Sequence, residues 1–245
     1  MDTLTPAKLA EFGVWFVVFL FSSTVHEAGH ALLARMGGDD TAYRGGQVSL
    51  NPLPHMRREP FGMIIVPLMS YFFMGGRWMM GWASTPYDVL WAQRHPGRQA
   101  LMSAAGPIAN LLIAAGAFGA LAALLSSGVF VAPGPDEFSF THLVQPASHY
   151  APGSMLHPLA AVLSVALSLN LLLFLFNMVP LPPLDGSGIL HGLFPNSLGR
   201  LIDMLSANPM MSLVGLVLAW QVFPPIFWPA FRIVLGLLHP GLYGG

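Results

Sequence analysis

Three apolar runs, each long enough to cross a bilayer, dictate what this chain can fold into: Phe12 to Val25, which continues as a helical pattern to about Met36, then Ala100 to Leu125, and Pro158 to Val179. A helix rises about 1.5 Å per residue, so about twenty apolar residues cover the roughly 30 Å hydrocarbon core. Charge points the same way. Only 9% of the 245 residues are charged, whereas a water-facing domain carries about 25%. The expectation is an all-α polytopic membrane protein, with three spanning helices at its centre. The first run has no basic leader beyond Lys8, and His26 and Glu27 stand where a cleavage site would fall, so it is expected to stay in the mature protein. The balance of 10 Lys+Arg against 11 Asp+Glu argues against nucleic acid as a partner. There are no cysteines. Disulfides and thiolate sites are therefore excluded, and any bound metal must use His, Asp or Glu.

The connecting segments are less regular. Gly37 to Pro60 is polar and rich in Gly and Pro, and Gly46 to Leu50 reads as a short strand. A further apolar run, Phe61 to Gly76, is interrupted by Pro67 and the pair Gly75-Gly76, and passes into the interfacial cluster Trp78 to Trp82. Ser126 to Leu156 carries Asp136 and Glu137 but no Lys or Arg. The fourth run ends in a proline-dense break, Pro180 to Gly186, and Met210 to Leu238 is divided by Pro224, Pro225 and Pro229 into one span plus a second span or an interfacial helix.

The chemistry lies in the first run. His26-Glu27-Ala28-Gly29-His30 fits the pattern HExxH. Residues four apart share one helix face, so both imidazoles can reach one zinc with Glu27 beside them, near a metal-bound water. The bland alternative is a helix-end cluster satisfied by hydrogen bonds. Burying His and Glu in an apolar helix is costly without a metal, a partner or a function. A catalytic zinc takes a third protein ligand and keeps one position open. Asp185 is the candidate: the prolines before it cannot continue a helix, so the chain unwinds and can turn a carboxylate inward, with Gly186 permitting close approach or positive φ. Asp185 could instead cap the following helix. Both roles can coexist.

Taken together, HExxH within a membrane span and Asn177-Met178-Val179-Pro180-Leu181-Pro182-Pro183-Leu184-Asp185-Gly186 resemble the site-2 protease family, whose second motif reads NxxPxxxLDG. The likeness extends to Gly106-Pro107-Ile108-Ala109-Asn110, to Leu50 through His55 and to Gly81-Trp82-Ala83, so it covers roughly His26 to Gly188. The resemblance implies an intramembrane zinc endopeptidase acting on transmembrane substrates, with one zinc bound by His26, His30 and Asp185. It implies Glu27 as general base and Asn177 near the metal, its amide hydrogen-bonding the substrate carbonyl or the developing oxyanion. The whole of 1–245 is expected to be one membrane-embedded metalloprotease domain, with a catalytic core over about 9–190 and C-terminal helices over about 208–238. No PDZ-like insertion separates the motif helices and no regulatory domain is recognisable after them. The expectation is the family's compact form.

The site also constrains topology. His30 lies near the end of the first span and Asp185 just past the fourth run, so their meeting requires Phe61 to Gly76 to be re-entrant or interfacial rather than a full crossing. Arg35, Arg44, Arg57, Arg58, Arg77, Arg94 and Arg98 all fall between the first span and the third, which under the positive-inside rule makes that side cytoplasmic, in the plasma membrane of a prokaryote. Asn110 reads as a helix cross-link ahead of a catalytic group. His55 could approach the site or be interfacial, while His95, His142, His149, His157, His191 and His239 are expected at the surface or interface. Two rival functions use the same residues: a metal permease or sensor, which leaves Glu27 unexplained and would usually show repeats, and an inactive membrane scaffold, which the intact Glu27 argues against.

Overall fold

A computed structural model describes residues 5–76, 78–134, 136–151 and 153–243. Arg77, one of the arginines used for the topology argument, lies outside them. Three long helices form the centre: α1 (Pro6–Met36), α6 (Pro96–Ser126) and α7 (Leu156–Asn177). All three are long and apolar enough to cross a membrane. Their starts follow local chemistry. Thr5 caps α1 by accepting from the Lys8 N–H, and Pro6 and Pro96 occupy first-turn positions, where a missing N–H costs nothing. Outward side chains such as Val17, Leu112 and Leu101 are more than 60% exposed, which suits lipid and not water.

Between α1 and α6 come α2 (Thr41–Arg44), α3 (Pro52–Arg58), α4 and α5 (Val89–Arg94). Helix α4 runs over Phe61–Phe73 and opens with a wide π turn at Phe61–Ile65. It does not cross. Gly75 and Gly76 turn the chain with φ of +72° and +79°, angles at which an L side chain would be strained. The chain then returns along α4. Ser70 Oγ accepts from the Met80 N–H at 2.9 Å, the Trp82 N–H donates to the Gly62 carbonyl at 3.1 Å, and Ser84 Oγ donates to Glu59 Oε1 at 2.5 Å where the hairpin closes. Its tip packs Tyr71 and Met79 against Trp15 and Phe19 of α1. Trp15 is twelve residues from Glu27, so the hairpin reaches about 18 Å along α1 and comes back to its own level. The chain thus turns back as expected of a re-entrant or interfacial segment.

The Gly46–Leu50 strand is not. That stretch is irregular, because Gln47 turns inward to donate to the Ser84 carbonyl at 3.1 Å, and His55 is buried with Nε2 3.1 Å from the Ser49 carbonyl. The returning arm of the hairpin, 78–88, likewise carries no regular secondary structure. Asp39 anchors this layer, accepting from the Thr41 N–H and hydroxyl and from the Asp88 N–H. Burial opposes its ionisation, and those donors outweigh burial, holding the carboxyl below the usual range.

On the far side, a two-stranded ribbon pairs β1 (Phe130–Val131) with β2 (Gln145–Pro146). After α7 the proline-dense segment leads into α8 (Asp185–Leu193), a π turn at Pro195–Gly199, α9 (Arg200–Ser206), α10 (Pro209–Val222), α11 (Pro224–Leu238) and α12 (Pro240–Tyr243). The chain bends by 107° between the helical stretch Pro195–Ser206 and α10. Neither α10 nor α11 alone has the length of the three central spans. Phe223, Phe227, Phe231 and Leu235 seat this C-terminal part on α6 and α7.

Candidate metal centre

Helix α1 carries His26, Glu27 and His30 in its second half, all buried. The spacing of four puts the two rings edge to face with centroids 4.7 Å apart. One donor atom from each of the three residues falls within 4.8 Å of the others. Asp185, the first residue of α8, closes the group: its Oδ2 is 3.1 Å from His26 Nε2 and its Oδ1 is 3.3 Å from His30 Nε2, while the two Nε2 atoms are 3.0 Å apart. Helix α8 is capped by Leu184 without a side-chain bond, so the Asp185 carboxylate is turned to the imidazoles and not to the backbone. Gly186 is needed for close approach, since a Cβ there would meet the Met178 and Val179 carbonyls.

The tautomers of both rings follow from their partners. His30 Nδ1 is 2.7 Å from the Met102 carbonyl, which can only accept, so Nδ1 carries the proton. For His26 the same conclusion takes several steps. Asn170 Nδ2 donates to the Ala166 carbonyl and to Ser22 Oγ, each at 2.8 Å, which leaves Asn170 Oδ1 to accept from Asn110 Nδ2 at 2.8 Å. Asn110 Oδ1 therefore faces His26 Nδ1 and must accept from it. Both Nε2 lone pairs then point at each other and at a carboxylate.

Lone pairs converging at 3.0 to 3.3 Å repel unless something positive lies between them. Asp185 Oδ2 is buried without a hydrogen-bond partner. A proton on one Nε2 satisfies one of these contacts; a divalent cation satisfies all of them. With bonds of about 2.0 to 2.1 Å, neighbouring ligands on a zinc tetrahedron lie about 3.3 Å apart, and an N2O donor set suits that ion. Gly106 makes the room, since a Cβ there would run into Nε2 of both histidines. Helix α6 can approach α1 this closely only without a side chain at that position.

Glu27, His30 and Asp185 line a cavity of about 410 Å³, together with Thr85 and Tyr87 from the hairpin, Gln99 and Ser103 from α6, His191 from α8 and Asp203 from α9. The Thr85 hydroxyl lies 2.7 Å from Glu27 Oε2 and 3.0 Å from the Glu27 carbonyl, and donates to either. Burial, and after it the Asp203 carboxylate, push the Tyr87 phenol up, so it remains a donor near neutral pH.

His26, Glu27, His30 and Asp185 are thus brought together. Asn177 is not with them: its amide donates to the Leu173 carbonyl at 3.0 Å, and it does not line the cavity. His55 does not line it either. His191 and His239 were expected at the surface or interface, but both are buried, His191 pairing with Asp203 at 3.1 Å and His239 with its Nε2 2.8 Å from the Leu143 carbonyl. Sequence reasoning missed Thr85, Asn170 and His191. Asn170 alone left a signal, a lone amide in an apolar span.

The peptidase family M50 model matches residues 14–222. A protein of Bacillus subtilis (strain 168) named "Putative zinc metalloprotease YwhC" is 32% identical over 235 residues, covering 94% of this chain and 90% of the relative. No solved structure matches.

Proposed function

The chain belongs to peptidase family M50, the site-2 protease family, and is a membrane metalloprotease in general type; from this we propose that it is an intramembrane zinc endopeptidase, cutting peptide bonds in or near transmembrane segments of membrane-anchored proteins. The observation that carries the reading is the convergence of two Nε2 lone pairs and a carboxylate beside Glu27, with both imidazoles on α1, a helix long and apolar enough to cross a membrane.

In this reading His26, His30 and Asp185 are the ligands of one zinc. Bound zinc supplies the Lewis acidity that lowers a water's pKa toward about 7 and polarises the scissile carbonyl. Glu27 takes the proton of the attacking water and delivers it to the leaving nitrogen. Thr85 holds the Glu27 carboxylate by its hydroxyl, which keeps the base aimed between turnovers. The expected contact of Asn177 with the substrate carbonyl is not part of this reading, since its amide is bonded to Leu173 and lies off the cavity. Asn177→Ala should then leave both zinc occupancy and turnover within about twofold of wild type, and a loss of turnover at full zinc occupancy would restore the expected role. A helical substrate hides its backbone, so cleavage requires local unwinding near the site.

The arginine-bearing segments between α1 and α6 put the site on the cytoplasmic side of the membrane in this account. Single cysteines at Arg57, Arg94 and Asp136, labelled with an impermeant reagent on intact cells, should react at Asp136 only; reaction at Arg57 and Arg94 alone would reverse the orientation.

The test of the activity is Glu27→Gln in the purified full chain. It should keep zinc and lose cleavage of a transmembrane reporter by at least about a hundredfold, because the base is gone and the ligands remain. Substantial residual turnover would refute the role of Glu27. A wild type that binds metal and cleaves nothing would favour a permease or sensor.

A further inference from the structure

Away from the metal corner, the cavity has a second polar wall that the proposed chemistry does not use. His191 Nε2 is 3.1 Å from Asp203 Oδ1 and, with its proton there, holds that carboxylate against α8. This leaves His191 Nδ1 as an acceptor, and it is buried without a partner. Gln99 Oε1, on the facing side of α6, is likewise a buried acceptor without a partner. Both residues are more than nine-tenths buried, and both line the cavity together with Asp203. No lysine or arginine is among the described lining residues. Unpaired buried acceptors are costly and call for a donor. Around an imidazole–carboxylate pair in a cavity without a basic residue, the complementary donor is a cation.

We propose that Gln99, His191 and Asp203 form a specificity subsite for a basic side chain of the substrate, arginine ahead of lysine. The proposal rests on the endopeptidase reading and names the substrate feature it selects. A guanidinium offers five donors in a fixed fork, enough to meet several acceptors at once, whereas an ammonium offers three. Its distance from the cut follows from α8. His191 is six residues past Asp185 on one helix, hence about 9 Å along the axis from the ligand. An extended peptide covers that in about three residues, at about 3.3 Å each. The selected residue therefore lies about three positions from the scissile bond, toward the membrane end at which α6 begins. A basic residue there is also where a cytoplasmic flank of a transmembrane segment carries its charge. The subsite thus reads the boundary of the substrate's span, while the metal corner acts inside it.

The experiment uses the zinc-loaded full chain carrying Glu27→Gln, in detergent micelles, with fluorescent peptides that share one transmembrane segment. One position at a time, within four residues of the bond, is made Arg, Gln or Glu, and affinity is read by anisotropy. The expected result is a preference of about tenfold for Arg over Gln near the third position, equivalent to about 1.4 kcal/mol. Adding Asp203→Asn should bring that ratio to within about twofold of one, and adding Asp203→Arg should reverse it in favour of Glu. The Asp203 side chain is 56% exposed, so both changes are tolerated, and equal zinc content in every variant checks the fold. Equal affinity for the three peptides, or a preference that Asp203 substitutions do not alter, overturns the proposal. Cleavage of the Arg peptide by the wild type is scored separately: no cleavage with an intact charge preference counts against the protease reading and leaves the subsite standing.

Discussion

His26 and His30 stand one turn apart on α1 and face the same point, yet they are held in different ways. His30 is aimed by a backbone carbonyl, that of Met102, which no side-chain substitution at residue 102 can delete. His26 is aimed by a chain of amides that crosses all three central helices, from Asn110 on α6 to Asn170 on α7 and back to Ser22 on α1. The chain ends on the Ala166 carbonyl, so the tautomer of His26 is decided by a backbone atom on another helix. One ring depends on the packing of two helices and the other on three. Asn110 is therefore both the cross-link expected of it and the residue that orients a candidate ligand.

The largest effect should come from the rings themselves. His26→Ala and His30→Ala should each abolish stoichiometric zinc in the purified protein, and to equal degree, since both donate through Nε2. A variant that kept its zinc would mean that Glu27 or Asp185 can replace that ring, and would end the symmetry on which the comparison rests. Next in size is Asn110→Leu, which removes the partner of His26 Nδ1 and should weaken zinc about 10- to 100-fold by competitive chelation. Met102→Leu keeps the carbonyl and should change zinc affinity by less than about twofold. Equal losses from the two would show that packing of α6, not ring orientation, controls the metal.

The smallest effect on the metal should follow from Asn170→Leu. It leaves Asn110 Nδ2 without its main acceptor and Ser22 Oγ without its donor, both in the buried centre of the bundle. A buried unsatisfied polar group costs about 1 to 3 kcal/mol. Unfolding free energy in detergent should fall by an amount of that order, while zinc affinity falls less than in Asn110→Leu. A zinc loss as large as that of Asn110→Leu would mean that the whole chain of amides is required to aim His26.

What could be read from the sequence divides along the same line. Helical spacing alone put His26 and His30 on one face, and the impossibility of continuing a helix through Pro182 and Pro183 marked where Asp185 could turn inward. Parity of crossings required α4 to turn back, and Gly75-Gly76 supplied the turn. Those inferences use constraints that are local in the chain or global in the membrane. Contacts between distant segments of ordinary composition left no comparable trace. Thr85 is one of several hydroxyls in a loop, and nothing near it tells that the hairpin's returning arm ends on Glu27. Gln47 shows the converse: alternation suggested a strand over Gly46 to Leu50, but its buried side chain bonds the Ser84 carbonyl, and the backbone bends to allow it. His191 and His239 were expected at the surface or interface, and tertiary partners placed them inside.

The central claim is that His26, His30 and Asp185 hold one zinc with Glu27 beside it. X-ray absorption fine structure at the zinc edge, on the full chain carrying Glu27→Gln at one zinc per chain, tests this most directly. The account expects a shell of two imidazole nitrogens at about 2.0 to 2.1 Å with oxygens at about 2.0 to 2.2 Å, reduced to one imidazole in the same protein with His26→Ala if any zinc is retained. A spectrum fitted by oxygens alone, or two imidazoles that persist when His26 and Asp185 are both replaced by alanine, would contradict it.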